Sequence, residues 1–452
     1  MVLQILNRRT LAIFSIVVWA TSCELDNEIE TPAFQELDRQ LAEALNAADP
    51  VNGVSGFILP DEGNFSEIPQ DPRNPITSDK VALGQLLFHE TGLAIDAKNV
   101  VGIGTYSCAS CHNPAAAFQP GRRQGIADGG LGFGIIGEGR GKDEIYPDDS
   151  LDVQPIKVPS TLNVAYQKNL LWNGQFGATG DNTGTEHLWE EDELIATNFL
   201  GFEGAETQAI AGLTFHRKNI TMEFAEQTGY LEMFRSAFPG ISDEELINKE
   251  FAGLAIASYV RTLLSNEAPF QRFLKGESTA LTIQQKRGAL LFFDKAKCSN
   301  CHSGPALNSM RFEAVGMGDL EGPEIFNPDK QAGLGRASFT GEASDEYKFK
   351  VPQLYNLQDA GFLGHGGTFN TLREVVEYFN TAEKQNPEVP DSQLAEDFEP
   401  LFLSDDEVED LVAFLEDGLH DVNLERFVPS SILSGNCFPN NDEQSRTDLN
   451  CN

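Results

Sequence analysis

The sequence predicts a mainly α-helical chain built as two tandem versions of one module. Three observations carry this. Helix-start boxes recur before apolar stretches of helical period, strand signals are few, and a set of short strings occurs twice in the same order. Leu83-Gly-Gln-Leu-Leu-Phe88 precedes Cys108-Ala-Ser-Cys111-His112, and Arg287-Gly-Ala-Leu-Leu-Phe292 precedes Cys298-Ser-Asn-Cys301-His302. Downstream, Lys157-Val-Pro is followed by Trp172-Asn-Gly174, and Lys350-Val-Pro by His365-Gly-Gly367. Trp172 and His365 therefore hold matching places in the two copies.

The elements follow in order. The acidic stretch 24–50 is expected to turn helical near 33–48, and 51–79, with Pro60, Pro69, Pro72 and Pro75, reads as extended chain. Ser242-Asp-Glu-Glu245 is a capping box that opens a helix running to Leu263. Thr282-Ile-Gln-Gln285 opens another toward Phe292, and Ser404-Asp-Asp-Glu407 a third that Gly418 stops. Gly132-Phe-Gly-Ile-Ile-Gly137 matches the dinucleotide fingerprint in letters only, because neither flank is a strand or a helix start.

The chain has 452 residues, 32 Lys plus Arg and 69 Asp plus Glu, a net charge of −37. That length suits two domains. The charge argues against nucleic acid as a partner, since phosphate binding needs a basic face, and disfavours docking on anionic lipid by charge alone. Arg8 and Arg9, then the apolar run Leu11–Ala20 and small residues, read as an export signal too short to span a bilayer. Ala20-Thr-Ser-Cys23 resembles a lipobox, in which the cysteine is acylated and becomes the new N-terminus. The alternative is an ordinary signal peptide cut near a chance cysteine. The lipobox reading places the protein in the periplasm or cell envelope, on the membrane only through a lipid anchor at Cys23. In an oxidising compartment Cys437 and Cys451 are expected to pair, the alternative being two free thiols on a loose tail.

The remaining four cysteines carry the chemistry. In Cys-x-x-Cys-His the two thiols can each add to a vinyl group of haem, and the histidine that follows can ligate the iron. Zinc is a rival, but its cysteine pairs normally lie within about 15–20 residues of each other, and these are far apart. Dithiol redox chemistry is the other rival, and neither rival requires a histidine after both pairs. The strings thus predict two covalently bound haem c groups, held by Cys108 and Cys111 and by Cys298 and Cys301. His112 and His302 are the proximal iron ligands.

From about Leu83 to Leu419 the chain resembles the bacterial di-haem cytochrome c peroxidases and their MauG-type relatives. The likeness rests on Leu83-Gly-x-x-Leu-Phe, Ser107-Cys-Ala-Ser-Cys-His, Leu162-Asn-Val-Ala-Tyr and Leu171-Trp-Asn-Gly174. It rests further on Tyr230…Phe234…Ala237-Phe-Pro239, Phe270-x-Arg-Phe-Leu-x-Gly276 and Phe349-Lys-Val-Pro-x-Leu. The resemblance implies two cytochrome-c-like haem domains in tandem, with an N-terminal tether and a C-terminal tail. The divisions are 1–22 (signal), 23–75 (tether), 76–275 (peroxide-reacting domain), 276–430 (electron-transfer domain) and 431–452 (tail).

By that resemblance Glu206 is the residue that moves a proton during peroxide cleavage, with Glu203 the runner-up, and Trp172 assists electron transfer between the haems. Some relatives block the first iron with a histidine in the loop after His112. Here no histidine occurs between His112 and His187, and Asp128 holds that place, so an iron open at rest is expected. Arg122 and Arg123 are either haem-carboxylate partners or solvated charges. The sixth ligand of the second iron falls in register on Phe379, which cannot ligate. Tyr378 beside it is the first candidate, Met310 and Met317 are rivals, and an open position is the remaining choice. His365 is expected at the second haem's edge or as plain structure. A calcium between the domains is uncertain, because its Asn ligand aligns with Lys157. The function implied is reduction of hydrogen peroxide by electrons from a small cytochrome c or cupredoxin. The alternatives are a MauG-like oxidation of side chains on a partner protein or peptide, and a di-haem electron carrier. A homodimer is a further expectation of the resemblance.

Overall fold

The structure is a computed structural model that describes residues 32–189 and 194–451; the expected signal and Cys23 lie outside them. The α-helices are α1 (Pro32–Ala48), α2 (Ser78–His89), α3 (Gly204–Phe215), α4 (Met222–Thr228), α5 (Tyr230–Ala237), α6 (Asp243–Leu246), α7 (Lys249–Arg261), α8 (Pro269–Leu274), α9 (Ile283–Phe293), α10 (Ala337–Thr340), α11 (Leu372–Thr381), α12 (Asp405–Ala413) and α13 (Glu443–Asp448). Among the described residues, strand is confined to two antiparallel pairs of two-residue segments, Gly130–Leu131 with Gly141–Lys142 and Phe312–Glu313 with Phe349–Lys350. Among the described residues no helix is long and apolar enough to cross a membrane.

The repeat is a repeat in space. One core gathers Leu83, Leu87, Phe88, Phe234, Leu254 and Tyr259 from α2, α5 and α7. The other gathers Phe292, Phe293, Val376, Val408, Leu411 and Phe414 from α9, α11 and the end of α12. In each, the helix before the Cys-x-x-Cys-His string crosses the domain's last long helix: α2 on α7, α9 on α12. The glycine of each repeated string makes that crossing possible. A Cβ on Gly84 would overlap the Ala255 carbonyl, and one on Gly288 would overlap the Asp410 carbonyl. The two matching glycines thus set the close approach of backbones that shapes each domain.

The boxes at Thr282 and Ser404 form as expected, each hydroxyl accepting a backbone N–H while Gln285 or Glu407 reaches back. The box at Ser242 does not open a long helix. Ser242 Oγ is spent on the Glu245 carboxylate at 2.8 Å, α6 lasts four residues, and α7 starts afresh. Its cap is Asn248, whose side chain accepts from the backbone of Glu250 and Phe251.

Two segments expected to be loose are packed. Residues 32–76 are no tether: Leu41, Leu45, Phe57, Leu59, Ile68 and Ile76 are buried in the second domain's core. Gln271 holds this segment by donating to Phe57 O at 2.9 Å and accepting from Leu59 N at 2.8 Å. The C-terminal tail crosses back over the first domain. Ser107 and Ser110, flanking the first haem string, donate to Pro439 O at 2.9 and 3.1 Å. Cys437 and Cys451 form a disulfide. The glycine-rich loop receives an acid from this tail and no nucleotide contact is implied: Asp448 Oδ2 accepts from Phe133 and Gly134 N–H at 2.9 and 3.0 Å.

Candidate functional site

Each Cys-x-x-Cys-His string forms a tight turn, Cys108–Ser110 or Cys298–Asn300. The turn closes through the histidine amide, which donates to the first cysteine's carbonyl at 3.0 Å in one copy and 2.9 Å in the other. All four cysteines are free thiols. They line, with both histidines, one continuous cavity of about 410 Å³ that runs across the two domains.

The imidazoles are set up as iron ligands. His112 Nδ1 lies 3.0 Å from Phe118 O, and His302 Nδ1 lies 3.1 Å from Leu307 O and 3.0 Å from Pro352 O. A carbonyl only accepts, so the proton is on Nδ1 and each Nε2 keeps its lone pair. Burial pushes both imidazoles down to about 4, which leaves them neutral at pH 7. Burial also pushes the Cys111 thiol up to about 11 and the Cys298 thiol up to about 12, unlike the lowered thiols of dithiol exchange. Among the described residues no three His, Cys, Asp or Glu side chains converge as a metal-ion site, which counts against zinc. Two free thiols and one lone-pair imidazole per motif fit a pair of covalently attached haems.

The two halves are stitched reciprocally at the seam. Lys157 N–H donates to His365 O at 2.9 Å, and Lys350 N–H donates to Trp172 O at 2.8 Å. Trp172 Nε1 donates to Lys157 O at 2.7 Å, and its ring meets His365 edge-on at 6.3 Å. His365 stacks on Phe349 and its Nε2 lies 3.1 Å from Asp319. Trp172 and His365 both line the cavity, so the matching residues of the repeat meet where the domains meet.

Several expected side chains are elsewhere. Glu206 is fully buried but does not line the cavity. It forms a two-pronged ion pair with Arg261 of α7, 2.9 Å to Nε and 2.7 Å to NH2, and accepts from Asn74 at 3.3 Å. The helical period explains this: α3 turns Gln208, Ala209, Gly212 and Leu213 to the cavity and Glu206 to α7. The runner-up Glu203 also meets Arg261, at 3.2 Å. Tyr378 is likewise off the cavity, its hydroxyl donating to Val315 O, while Leu372, Val375, Val376 and Phe379 form the cavity face of α11. Of the methionines, Met317 lines the cavity and Met310 does not. Arg122 donates to Arg140 O, and Arg123 to Glu324 at 2.9 Å and Gly366 O at 3.1 Å, so neither arginine faces the cavity. Asp128 is consumed by Tyr146 OH and Arg217, both at 2.6 Å.

One residue that no sequence motif marks enters the site. His216, the cap of α3, lines the cavity, and its Nδ1 lies 2.9 Å from the buried carboxylate of Asp152. That bond places the Nδ1 proton toward the acid and leaves Nε2 free to exchange a proton. The signal was the register of α3, in which Gln208, Gly212 and His216 recur at every fourth residue.

Known proteins agree with this architecture. Residues 78–279 match the family model for di-haem cytochrome c peroxidase. The chain is 28% identical to the methylamine utilization protein MauG of Methylorubrum extorquens over 355 residues, 77% of this chain and 80% of that protein. It is 28% identical to the cytochrome c peroxidase Ccp of Escherichia coli over 332 residues, 72% of this chain and 57% of that protein. The crystal structure of a MauG-like protein associated with microbial copper homeostasis superposes with a TM-score of 0.54 at 23% identity, covering 81% of this chain and 95% of that one. The paired Cys-x-x-Cys-His strings, the doubled helical core and these likenesses lead to one conclusion: residues 78–279 match the di-haem cytochrome c peroxidase family, and most of the chain is similar to oxidoreductases that include both cytochrome c peroxidases and MauG.

Proposed function

We propose that this protein reduces hydrogen peroxide to water with electrons from a small periplasmic cytochrome c or cupredoxin, while tethered outside the cytoplasm through Cys23. The observation that carries this over the MauG-like alternative is the cavity face near the second motif, which offers the Met317 thioether and not the Tyr378 hydroxyl. A thioether ligand suits a high potential and acceptance of electrons from a donor. When bound, the haems would supply the peroxide-binding iron at His112 and the electron-relaying iron at His302.

The chain's own residues do the rest. His112 Nε2 and His302 Nε2 would hold the irons. The reaction consumes two electrons and two protons per peroxide and yields two waters. His216 Nε2 moves the proton between the peroxide oxygens, with Asp152 holding the ring in place. Trp172 spans the seam and assists electron passage. The chain's net charge of −37 favours a basic donor.

The test is steady-state oxidation of a reduced basic cytochrome by peroxide, in wild type and in His216→Ala. Loss of the proton carrier lowers kcat/KM by about 10²–10⁴-fold. A long-lived oxidised product with no donor turnover would support the MauG-like reading. A ferric spectrum showing two axial imidazoles on the first iron, lost in His216→Ala, would make His216 a ligand and overturn its proton role.

A further inference from the structure

Among the described residues three buried lysines line the cavity without an acid; Lys218 donates to Cys108 Sγ at 3.1 Å, and the other two are Lys157 and Lys350. Lys157 and Lys350 are 2% and 6% exposed, and both line the cavity. Among the described residues no carboxylate pairs with either. Each donates to a neutral glutamine oxygen, Lys157 to Gln119 and Lys350 to Gln167, which leaves two of three ammonium protons to fill. A buried ammonium without an anion is costly. Here burial alone drags both down to about 7. The same arrangement appears twice, at the first position of the repeated Lys-Val-Pro string. Nearby acids are already engaged: Asp152 with His216 and Asp319 with His365. The two arginines expected for the task are bonded elsewhere.

We infer that Lys157 and Lys350 are the binding partners of porphyrin carboxylates, one lysine for each haem, and that they hold those carboxylates at the seam beside Trp172. The inference rests on the di-haem reading and adds to it the anchor for the far edge of each porphyrin. The backbone of Lys157 is bonded to His365 and to the Trp172 indole, and that of Lys350 to Trp172. A carboxylate taken up by either lysine is therefore fastened to the residue that bridges the domains. Each ammonium also favours the reduced state of its own haem by placing positive charge beside it. Lys157 donates to Gln119, the neighbour of Phe118 whose carbonyl holds His112, which assigns it to the first haem. Lys350 lies two residues before Pro352, whose carbonyl holds His302, which assigns it to the second.

The experiment is a spectroscopic redox titration of the holoprotein in Lys157→Met and Lys350→Met, with intact mass measured beside it. Both variants should carry two porphyrins. Lys157→Met should lower the midpoint potential of the first haem only, and Lys350→Met that of the second only. Two porphyrins with unmoved potentials, or a shift of both haems by either variant alike, overturns the inference while leaving the di-haem reading intact. Absence of porphyrin mass in the wild type overturns both. Resonance Raman of the wild type needs no variant: the haem carboxylate bending modes should shift between H2O and D2O, and modes insensitive to the exchange would overturn the inference.

Discussion

Glu206→Gln separates a structural acid from a catalytic one. Both side-chain oxygens of Glu206 are committed to Arg261, at 2.9 and 2.7 Å, and both residues are fully buried. Removing one partner of a buried ion pair strands the other charge, at a cost of about 3–5 kcal/mol. Arg261 keeps Glu203 at 3.2 Å and Pro69 O at 3.2 Å, so the lower end applies, about 3 kcal/mol. For a domain of this size that is a fall in Tm of roughly 6–12 °C. The chemistry should survive, because Glu206 does not face the cavity. The assay is thermal unfolding by circular dichroism together with kcat/KM for peroxide at a temperature well below both transitions. The expected result is a large loss of stability with kcat/KM within about threefold of wild type. A kcat/KM lowered by about 10²-fold or more at unchanged Tm would refute the reasoning and return Glu206 to the role of proton carrier.

Other changes test the remaining assignments. Met317→Leu should lower the midpoint potential of the second haem and alter its ligand-field spectrum, while Tyr378→Phe should change neither; the reverse pattern would reassign the ligand. Gly84→Ala and Gly288→Ala each drive a methyl into a backbone carbonyl and should cost about 3 kcal/mol, read as a lower urea midpoint of the domain concerned. His89 is buried, with its pKa lowered by desolvation to about 4, so its contribution is present above the unfolded value and is lost as pH falls through about 6.5 toward 4. Urea midpoints should fall over that window, by up to about 3 kcal/mol from this residue, and His89→Leu should remove that portion of the slope.

Much of the molecule was legible from local chemistry. Cys-x-x-Cys-His specifies its own turn and its own cofactor, because both thiols and the imidazole must meet one porphyrin. The doubled Gly-x-Leu-Leu-Phe string exposes the duplicated core, since only glycine lets two helix backbones meet there. Capping at Thr282 and Ser404 is decided within four residues. At Ser242 the same pattern misled, because the hydroxyl chose the Glu245 carboxylate over the backbone. The tether failed for a different reason: the helical face of Phe34, Leu41 and Leu45 and the apolar residues after it find their core some 200 residues away along the chain.

The sequence by itself marked which residues would touch a haem covalently, because those bonds depend on neighbours along the chain. Only the tertiary structure decided which acid, which sulfur and which cation face the cavity. A helix shows a given side chain to one neighbour only, and a turn of 100° per residue separates Glu206 from Gln208 and Tyr378 from Phe379. Which face is turned inward is chosen by packing against distant partners such as Arg261 and Val315, and no local pattern records that choice.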